Sequence, residues 1–565
     1  MTNSTEEPLP EGLCRAGRWL APIVMVGMLV CPAPEGLPIS AWRLLAVTIG
    51  MAVLWFTQAL PIAATSLLPL VAYPLLGIQK ADDVSKSYID SNIWLALGGF
   101  IIALGIERSG LHRRMALRVL CSLGTSPRRL VLGFMLATAF LSMWISNTAA
   151  TLMMMPIGLA LLRTLEEIAS GERKTSSVPD GSAESTPSIA STSGASVSMP
   201  WLPTLGTALV LGIAYAASIG GTLTPVGTPT NVVFLGMWEQ QFPGPDTPHI
   251  PSGQWILSFL PFGILMILAS WIVLTWFLPR ARQKNWLDAD FFRSRLRQLG
   301  VPTRGERWML FVFVSTALLW IFREKFQIGD EPLVLGWGYW LESTLNYFHV
   351  AGDFKASYLR DATVSIGMCL LMFCIPIDKD PQGRTTFLMD WETAQRLPWD
   401  VILLFGGGFA MAGAFETTGL AHWIGDLLTA GVTFRSIILW MLIITASLTF
   451  LTEFTSNVAT ANMFLPIVAS ISVSLGYDPR LLMIPATIST SVGFMMPVGT
   501  PPNAIAFATG RVRFDQMAKF GLVLNLIGIL LVSAVTLLWM VPVMGISVDK
   551  LPGWAVNHVP ATAKQ

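Results

Sequence analysis

Two polar phrases each occur twice in this chain of 565 residues, and both copies keep the same order. The first reads Ser-Asn-Thr at 146–148 and Ser-Asn-Val at 456–458, an offset of 310 residues. The second reads Pro-Val-Gly-Thr-Pro-x-Asn at 225–231 and again at 497–503, an offset of 272. A Gly-Gly-Phe string also recurs, at an offset of 309. The chain therefore contains an internal duplication, and its fold must accommodate two similar halves.

The composition predicts a membrane protein. Hydrophobic residues make up 53% of the chain and charged residues only 13%, which excludes an ordinary soluble domain. A net charge of +1 gives no basis for nucleic-acid binding. The five cysteines have no metal or redox spacing, so we interpret them as small apolar residues. The scattered histidines and acids form no catalytic constellation, so we predict neither an enzyme nor a cofactor.

Apolar runs separated by basic segments predict about eleven transmembrane helices. Arginine-rich segments at 108–129 and 280–307 mark the cytoplasmic side. The first 18 residues do not form a cleaved signal peptide. We therefore expect a plasma-membrane protein, in the inner membrane if bacterial, with a cytoplasmic N-terminus and an external C-terminus. The predicted spans are 19–31, 41–60, 65–76, 93–106, 202–223, 255–278, 308–322, 362–377, 401–415, 481–510 and 521–541.

Two further apolar runs are interpreted as re-entrant hairpins. The run 131–162 has no charge, and as one helix it would be about 48 Å long, too long for one crossing and too short for two. We expect its turn at 146–148, where exposed backbone requires a polar cavity near the middle of the membrane. The run 436–477 is long enough for two crossings, but the repeat favours a hairpin that enters from the opposite side. An inverted repeat of this kind is typical of secondary transporters.

Two segments lie outside this repeated plan. Residues 170–200 are rich in serine and lack an apolar period, so we predict a disordered linker within 164–201. The aromatic-rich stretch 323–361 is predicted to be an external excursion, and the sequence indicates no function for it.

The repeated phrases favour binding of both cations and anions. The Pro-Gly phrases break helices, which frees carbonyl oxygens for hard cations and helix N-termini for carboxylates. Asn147 and Asn457 suit both ligands, because the amide oxygen faces a cation and the NH2 group donates to an anion. No Lys or Arg lies in the phrases, so bound cations would have to balance the anion, which predicts coupled symport. Small residues also favour helix packing, but their repetition favours a binding site. Glu453 is an intramembrane acid that is either functional or buried and paired.

The paired phrases resemble the divalent anion/sodium symporters, a family of sodium-coupled dicarboxylate, citrate and sulfate carriers. The resemblance covers nearly the whole chain. It implies an all-α polytopic membrane protein that forms a homodimer, with a scaffold in the bilayer and a transport domain that slides like an elevator. In that arrangement the scaffold comprises 19–111 and 280–420, and the transport domain comprises 130–163, 202–279, 436–477 and 480–545.

The resemblance also implies which residues bind the ligands. One sodium ion would be held by Ser142, Ser146, Asn147 and Gly227, and the other by Thr452, Ser456, Asn457 and Gly499. The substrate would contact Asn147, Thr148, Thr228, Ser456, Asn457, Thr500 and Pro501. Val458 replaces the threonine that would match Thr148 and removes one hydroxyl from the substrate side.

From these observations we predict sodium-coupled uptake of a small dicarboxylate such as succinate, malate or fumarate. Sodium-coupled citrate or sulfate uptake is the first alternative, and sodium-independent dicarboxylate exchange is the second. The implied partners are the anionic substrate, sodium as the coupling ion, the lipid bilayer and a second copy of the chain.

Overall fold

A computed structural model describes residues 11–123, 126–170, 199–279, 291–324, 326–328, 331–349, 353–379, 381–430 and 436–556. Over these residues the chain is almost entirely helical, with strands confined to two short antiparallel pairs. The prediction of an all-α polytopic membrane protein is confirmed. Helices suit this environment because they satisfy their own backbone hydrogen bonds in lipid. The described helices that are long and apolar enough to cross a membrane number nine: Glu11–Val30, Ile39–Thr57, Ala81–Ser109, Asn147–Ala169, Leu202–Gly221, Ser252–Thr275, Trp399–Thr418, Asn457–Ser474 and Phe514–Met544.

The N-terminal part forms seven helices: α1 (Glu11–Val30), α2 (Ile39–Thr57), α3 (Ile62–Thr65), α4 (Leu68–Leu75), α5 (Ala81–Ser87), α6 (Ser91–Ser109) and α7 (Leu111–Leu123). The predicted third span, 65–76, is divided between α3 and α4. Pro69 lies in the first turn of α4, where it lacks the backbone N–H that would continue α3.

The first predicted hairpin consists of α8 (Pro127–Ser142) and α9 (Asn147–Ser170), which pack against each other. Its turn covers residues 143–146, so Asn147 and Thr148 begin a helix and do not form the turn expected at 146–148. Ser146 stabilises this start, because its Oγ accepts a hydrogen bond from the backbone N–H of Ala149 at 3.2 Å.

Helix α9 also runs through residues 164–170, which the sequence assigned to the linker. The extension is favoured because Leu165 is buried in the core. The remainder of the predicted linker, 171–198, lies outside the described residues.

The next helices are α10 (Leu202–Gly221), α11 (Pro229–Gln241), α12 (Ser252–Thr275), α13 (Phe291–Gln298) and α14 (Arg304–Ile321). The break between α10 and α11 falls on the first Pro-Gly phrase, as expected. Helix α10 is surrounded by protein, because 89% of its most apolar stretch is buried. It packs against α8, α9 and α12. Part of the second basic segment, 280–290, lies outside the described residues.

The excursion at 323–361 contains strands β1 (Phe326–Ile328) and β2 (Glu331–Val334), helix α15 (Trp337–Tyr347) and a 3-10 turn at 356–358. Arg323 anchors both of its ends, because the guanidinium contacts Glu324 at 2.8 Å and Asp361 at 2.5 Å. Burial raises the pKa of the Glu324 carboxyl, but hydrogen bonds from His249 and Arg323 outweigh that effect and lower the pKa to about 2. The carboxylate therefore stays ionised at any ordinary pH.

The remaining elements are α16 (Asp361–Cys374), β3 (Pro376–Lys379), β4 (Thr385–Phe387), α17 (Trp391–Ala394), α18 (Trp399–Thr418), α19 (Leu420–Ala430), α20 (Ile437–Thr452), α21 (Asn457–Ser474), α22 (Arg480–Ser489), α23 (Pro501–Ala508), α24 (Phe514–Val535), α25 (Val541–Met544) and α26 (Gly553–Val556). A π-helical turn at 536–540 joins α24 to α25. The duplication is visible at helix ends. Gly110 after α6 and Gly419 after α18 both have φ of 75°, a left-handed conformation that favours glycine.

Candidate functional site

The first half-site lies where the turn of the α8–α9 hairpin meets the break between α10 and α11. Ser142 Oγ is 2.7 Å from Asn147 Oδ1 and 2.7 Å from the carbonyl oxygen of Ala217. A serine hydroxyl has one proton and can donate it to only one of these acceptors at a time. Three oxygens therefore surround a single proton in a buried place, an arrangement that a small cation would stabilise.

The second half-site repeats this geometry where the α20–α21 hairpin meets the break between α22 and α23. Thr452 Oγ1 is 2.7 Å from Asn457 Oδ1 and 2.9 Å from the carbonyl oxygen of Thr490. Thr452 is fully buried, as is Ser142 in the first half. The hydroxyl and the amide oxygen of the two clusters thus come from equivalent residues of the duplicated halves. The carbonyl oxygens come from residues one position out of register, and each cluster suits a sodium ion.

Glycines allow the hairpins to approach the broken helices closely. A Cβ on Gly221 would lie 2.1 Å from Asn147 Oδ1. A Cβ on Gly227 would lie 2.6 Å from the carbonyl oxygen of Gly221 and 2.9 Å from that of Ser142. Such distances are shorter than van der Waals contact, so only glycine fits beside the first oxygen cluster.

Asn231 and Asn503, the last residues of the two Pro-Gly phrases, hold the unwound segments in place. Both are fully buried. The Asn231 NH2 group donates to the carbonyl oxygens of Thr224 at 2.8 Å and of Thr222 at 3.2 Å. The Asn503 NH2 group donates to those of Gly493 and Met496, both at 3.1 Å. Each side chain thus donates hydrogen bonds to backbone carbonyl oxygens at the break, where the regular hydrogen bonds of the helix are interrupted.

Four helices begin at the two half-sites, α9 and α21 at the hairpin asparagines and α11 and α23 after Thr228 and Thr500. Thr228 and Thr500 have nearly the same extended backbone, with φ of −135° and −143°. The positive ends of helix dipoles favour an anion, although Pro229, Pro501 and Pro502 supply no N–H group at the start of α11 and α23. The arrangement can therefore attract a carboxylate without any basic side chain.

The predicted sodium ligands and the predicted substrate contacts both include buried and half-buried residues. Ser142, Thr452, Gly227 and Gly499 are buried, and so are Thr228 and Thr500. The half-buried predicted residues are Ser146, Asn147, Thr148, Ser456, Asn457 and Pro501. The hairpin ends are thus the more accessible side of each half-site.

The segments around the two helix breaks, α10–α11 in the first half and α22–α23 in the second, are in direct contact. Thr230 Oγ1 lies 2.6 Å from Ser491 Oγ, and the Tyr215 hydroxyl donates to the carbonyl oxygen of Phe494 at 3.0 Å. Tyr215 and Thr230 belong to the first half, whereas Ser491 and Phe494 belong to the second. The structure therefore joins the loops of the two half-sites directly.

The halves differ in how each hairpin is tied to its loop. In the first half, the Thr224 hydroxyl donates to the backbone carbonyl of Met143 and accepts a hydrogen bond from Gly227 N. In the second half, Glu453 replaces Met143 and Met496 replaces Thr224. The Glu453 carboxylate accepts hydrogen bonds from the backbone N–H groups of residues 495 and 496 at 2.8 and 2.9 Å. The polar side chain that joins hairpin and loop thus belongs to the loop in the first half and to the hairpin in the second. Both halves have the hydrogen-bonded contact.

Glu453 is therefore a buried acid with a full set of partners, since it is only 1% exposed. Its third partner is Asn525 on α24, whose NH2 group donates at 2.5 Å and whose Oδ1 accepts from Phe494 N at 3.1 Å. These bonds connect the second hairpin, its loop and α24.

Comparison with known families identifies the family of this chain. A family model described as the sodium:sulfate symporter transmembrane region matches residues 15–546. The chain belongs to the sodium:sulfate symporter family. The family resemblance inferred from the paired phrases is confirmed.

Curated relatives of this family member match over almost their full lengths. The sodium-dependent dicarboxylate transporter SdcS of Staphylococcus saprophyticus is 36% identical over 535 residues, covering 94% of this chain and 93% of its own. The Na(+)/citrate cotransporter of Rattus norvegicus is 36% identical over 539 residues, covering 88% and 90%. The solved YdaH transporter of Alcanivorax borkumensis aligns with 94% of this chain and 97% of its own, at 12% identity and a TM-score of 0.47. The family and the curated relatives are transporters, so the prediction of a transporter and not an enzyme is confirmed.

Sequence reasoning did not single out four residues that support the site: Thr224, Asn231, Asn503 and Asn525. The two phrase-final asparagines were visible in the repeat, where each is the last shared residue. Asn525 was visible as a polar residue within an apolar run, which is a marker of function in membrane helices. Thr224 had no such signal, because its counterpart in the second half is a methionine.

Proposed function

We propose that this family member is a secondary active transporter that couples sodium entry to uptake of a small dicarboxylate, with succinate, malate and fumarate as the preferred substrates. The observation that carries the proposal is the pair of oxygen clusters, each with three oxygens around one proton, at Ser142 and Thr452. Sodium takes oxygen ligands of this kind. The two relatives, a sodium-dependent dicarboxylate transporter and a Na(+)/citrate cotransporter, support the same conclusion.

Sodium binding would prepare each half-site for an anion. An ion within the first cluster would engage the Asn147 Oδ1 atom, which fixes the amide plane and leaves the NH2 group free to donate to a carboxylate. Asn457 would act in the same way in the second half. The N-termini of four helices add partial positive charge. Because the repeated phrases contain no Lys or Arg, anion binding depends on the bound cations, and the two affinities rise together.

Two half-sites suit a substrate with two carboxylates, one for each half. Val458 provides no hydroxyl where Thr148 provides one, so the second half offers fewer donors to the substrate. This asymmetry favours a compact dicarboxylate over an anion with additional polar groups that would need partners.

We further propose a homodimer that works as an elevator in the plasma membrane, with the N-terminus cytoplasmic. The scaffold would contain α1 to α6 and α13 to α18. The moving part would contain the two hairpins with α10 to α12 and α22 to α25. Helix α11 packs against α6 and α18, so the sliding surface would lie along that helix.

Citrate is the second candidate, because the citrate relative is as similar to this chain, at 36% identity, as the dicarboxylate relative. Sulfate is a further candidate from the family description. Sodium-independent exchange is disfavoured, since a carrier without sodium would have no use for two clusters in which three oxygens share a single proton.

Uptake of labelled succinate, citrate and sulfate into proteoliposomes tests the proposal. We expect succinate uptake to require an inward sodium gradient and to fall to background when potassium replaces sodium. Unlabelled malate and fumarate should compete with it. Equal succinate uptake in potassium would refute sodium coupling, and faster citrate or sulfate uptake would refute the substrate assignment.

A further inference from the structure

A chain of three buried hydroxyl groups connects the two half-sites. Thr230 lies in the first turn of α11, and its Oγ1 is 2.6 Å from Ser491 Oγ, just after α22. On the other side, Thr230 Oγ1 is 3.3 Å from Thr228 Oγ1. Thr230 and Ser491 are fully buried and Thr228 is 3% exposed. Water therefore cannot readily replace any of these hydrogen bonds.

Both ends of this chain lie beside the proposed ligands. Ser491 follows Thr490, whose carbonyl oxygen belongs to the second oxygen cluster. Thr228 follows Gly227 and occupies the N-cap position of α11, one of the helices whose N-terminus lies at the first half-site. The chain thus runs from the loop of one proposed sodium site to the backbone of the other.

We propose that Thr230 and Ser491 are positioning residues that couple the two sodium sites, an inference that rests on the proposed sodium symport. An ion in the second cluster fixes the Thr490 carbonyl and with it the adjacent Ser491. Ser491 then orients Thr230, and Thr230 orders the start of α11. A second ion meets a loop that is already ordered and binds more tightly. Coupling between binding sites is reciprocal, so an ion in the first site strengthens binding at the second equally.

The sodium dependence of succinate uptake in proteoliposomes tests this coupling. Two coupled ions give the wild-type protein a Hill coefficient between about 1 and 2. Thr230→Val and Ser491→Ala remove the same hydrogen bond from opposite ends. We expect each to raise the half-saturating sodium concentration about fivefold, at the lower end of typical coupling between sites, and to lower the Hill coefficient below that of the wild type.

A double-mutant cycle separates coupling from a general loss of packing. The double variant Thr230→Val/Ser491→Ala should behave like either single variant, because the bond is already lost. Thr230→Ser keeps the hydroxyl and should keep the wild-type sodium curve. Thr487→Val is a matched control on α22, since Thr487 is fully buried and its hydroxyl donates to Met483 of its own helix at 2.8 Å. It should leave the Hill coefficient unchanged.

The outcomes distinguish failure of the coupling from failure of the proposed function. If wild-type uptake depends on sodium but the variants keep its Hill coefficient, or if the two single effects multiply in the double variant, the coupling is refuted and symport stands. If wild-type uptake does not depend on sodium, both are refuted. Should Thr230→Val fail to fold, the sodium-induced rise in melting temperature of Ser491→Ala decides. A rise equal to that of the wild type would refute the coupling.

Discussion

At the scale of single residues, Asn147 and Asn457 each place an amide oxygen 2.7 Å from a hydroxyl that has a second acceptor. We expect Asn147→Ala and Asn457→Ala to reduce sodium-dependent uptake to background, because each change would remove a proposed ligand shared by cation and anion. An interaction of this kind with a charged group contributes about 1.5–3 kcal/mol. In each variant the sodium ion and the carboxylate substrate would each lose one such interaction. Asn346→Ala is a control, since among the described residues its side chain bonds to the backbone of Phe354, within the 323–361 excursion.

The asparagine variants should remain folded, with size-exclusion profiles and sodium-free melting temperatures close to those of the wild type. Uptake at the wild-type rate by either variant would contradict the assignment of the site.

Gly227 and Gly499 occupy equivalent positions but have different surroundings. A Cβ on Gly227 would meet backbone oxygens at 2.6 and 2.9 Å, whereas a Cβ on Gly499 would first meet the Glu453 carboxylate end at 3.1 Å. Overpacking of this kind costs about 1–3 kcal/mol, and more where the neighbours cannot move. We expect Gly227→Ala to abolish uptake and Gly499→Ala to keep part of it, with a higher half-saturating sodium concentration. Equal loss in both variants, measured at matched expression, would contradict this asymmetry.

At the scale of elements, each hairpin is tied to its partner loop by one polar side chain, Thr224 in the first half and Glu453 in the second. We expect Glu453→Met to lower the melting temperature and the uptake rate, because it leaves buried donors unsatisfied at about 1–3 kcal/mol each. Adding Met496→Thr should restore part of both, since it copies the first-half arrangement of Met143 and Thr224. We expect stability and uptake of the double variant to stay below those of the wild type, because the Asn525 NH2 group has lost the Glu453 carboxylate as its acceptor.

Measurement of melting temperature and succinate uptake for the single and double variants checks this swap. Met143→Leu is the matched control, a change of similar volume at a hairpin residue whose tie to the loop runs through its backbone carbonyl. If Met496→Thr made the Glu453→Met variant less stable, the proposed equivalence of the two ties would be wrong.

The elements of the site were predictable to the extent that local pattern determines them. Apolar runs, the Pro-Gly phrases and their repetition located most of the long helices, both breaks and the helix pairs α8–α9 and α20–α21. The first turn was placed about three residues too late, because the capping of α9 by Ser146 competes with a turn at the same polar residues. Contacts between distant segments were not predictable from one sequence. Thr230 and Ser491 are 261 residues apart, and neither residue has a pattern that pairs it with the other.

At the scale of the whole molecule, polar contacts cross the surface between the proposed moving part and the proposed scaffold. Near the end of α11, Gln240 donates to Asp90 at 3.4 Å, and Glu239 accepts from Asn92 at 3.2 Å and from Arg360 at 3.0 Å. Partly exposed contacts of this kind contribute little stability, typically about 0–1 kcal/mol for an ion pair. They can therefore break and reform during a transport cycle, whereas a packed apolar interface could not do so without a larger cost.

An elevator requires these contacts to separate in every cycle, so linking them should stop transport. We expect a short thiol-reactive cross-linker to abolish succinate uptake by the variant Asp90→Cys/Gln240→Cys, made in a background without the five native cysteines. Cleavage of the linker should restore uptake. The control is Gln79→Cys/Thr417→Cys, whose parent side chains are 3.1 Å apart and both lie within the proposed scaffold. Its cross-linking should leave uptake intact. Undiminished uptake after complete cross-linking of the first pair would show that α11 does not move relative to α6, and the elevator would have to be abandoned.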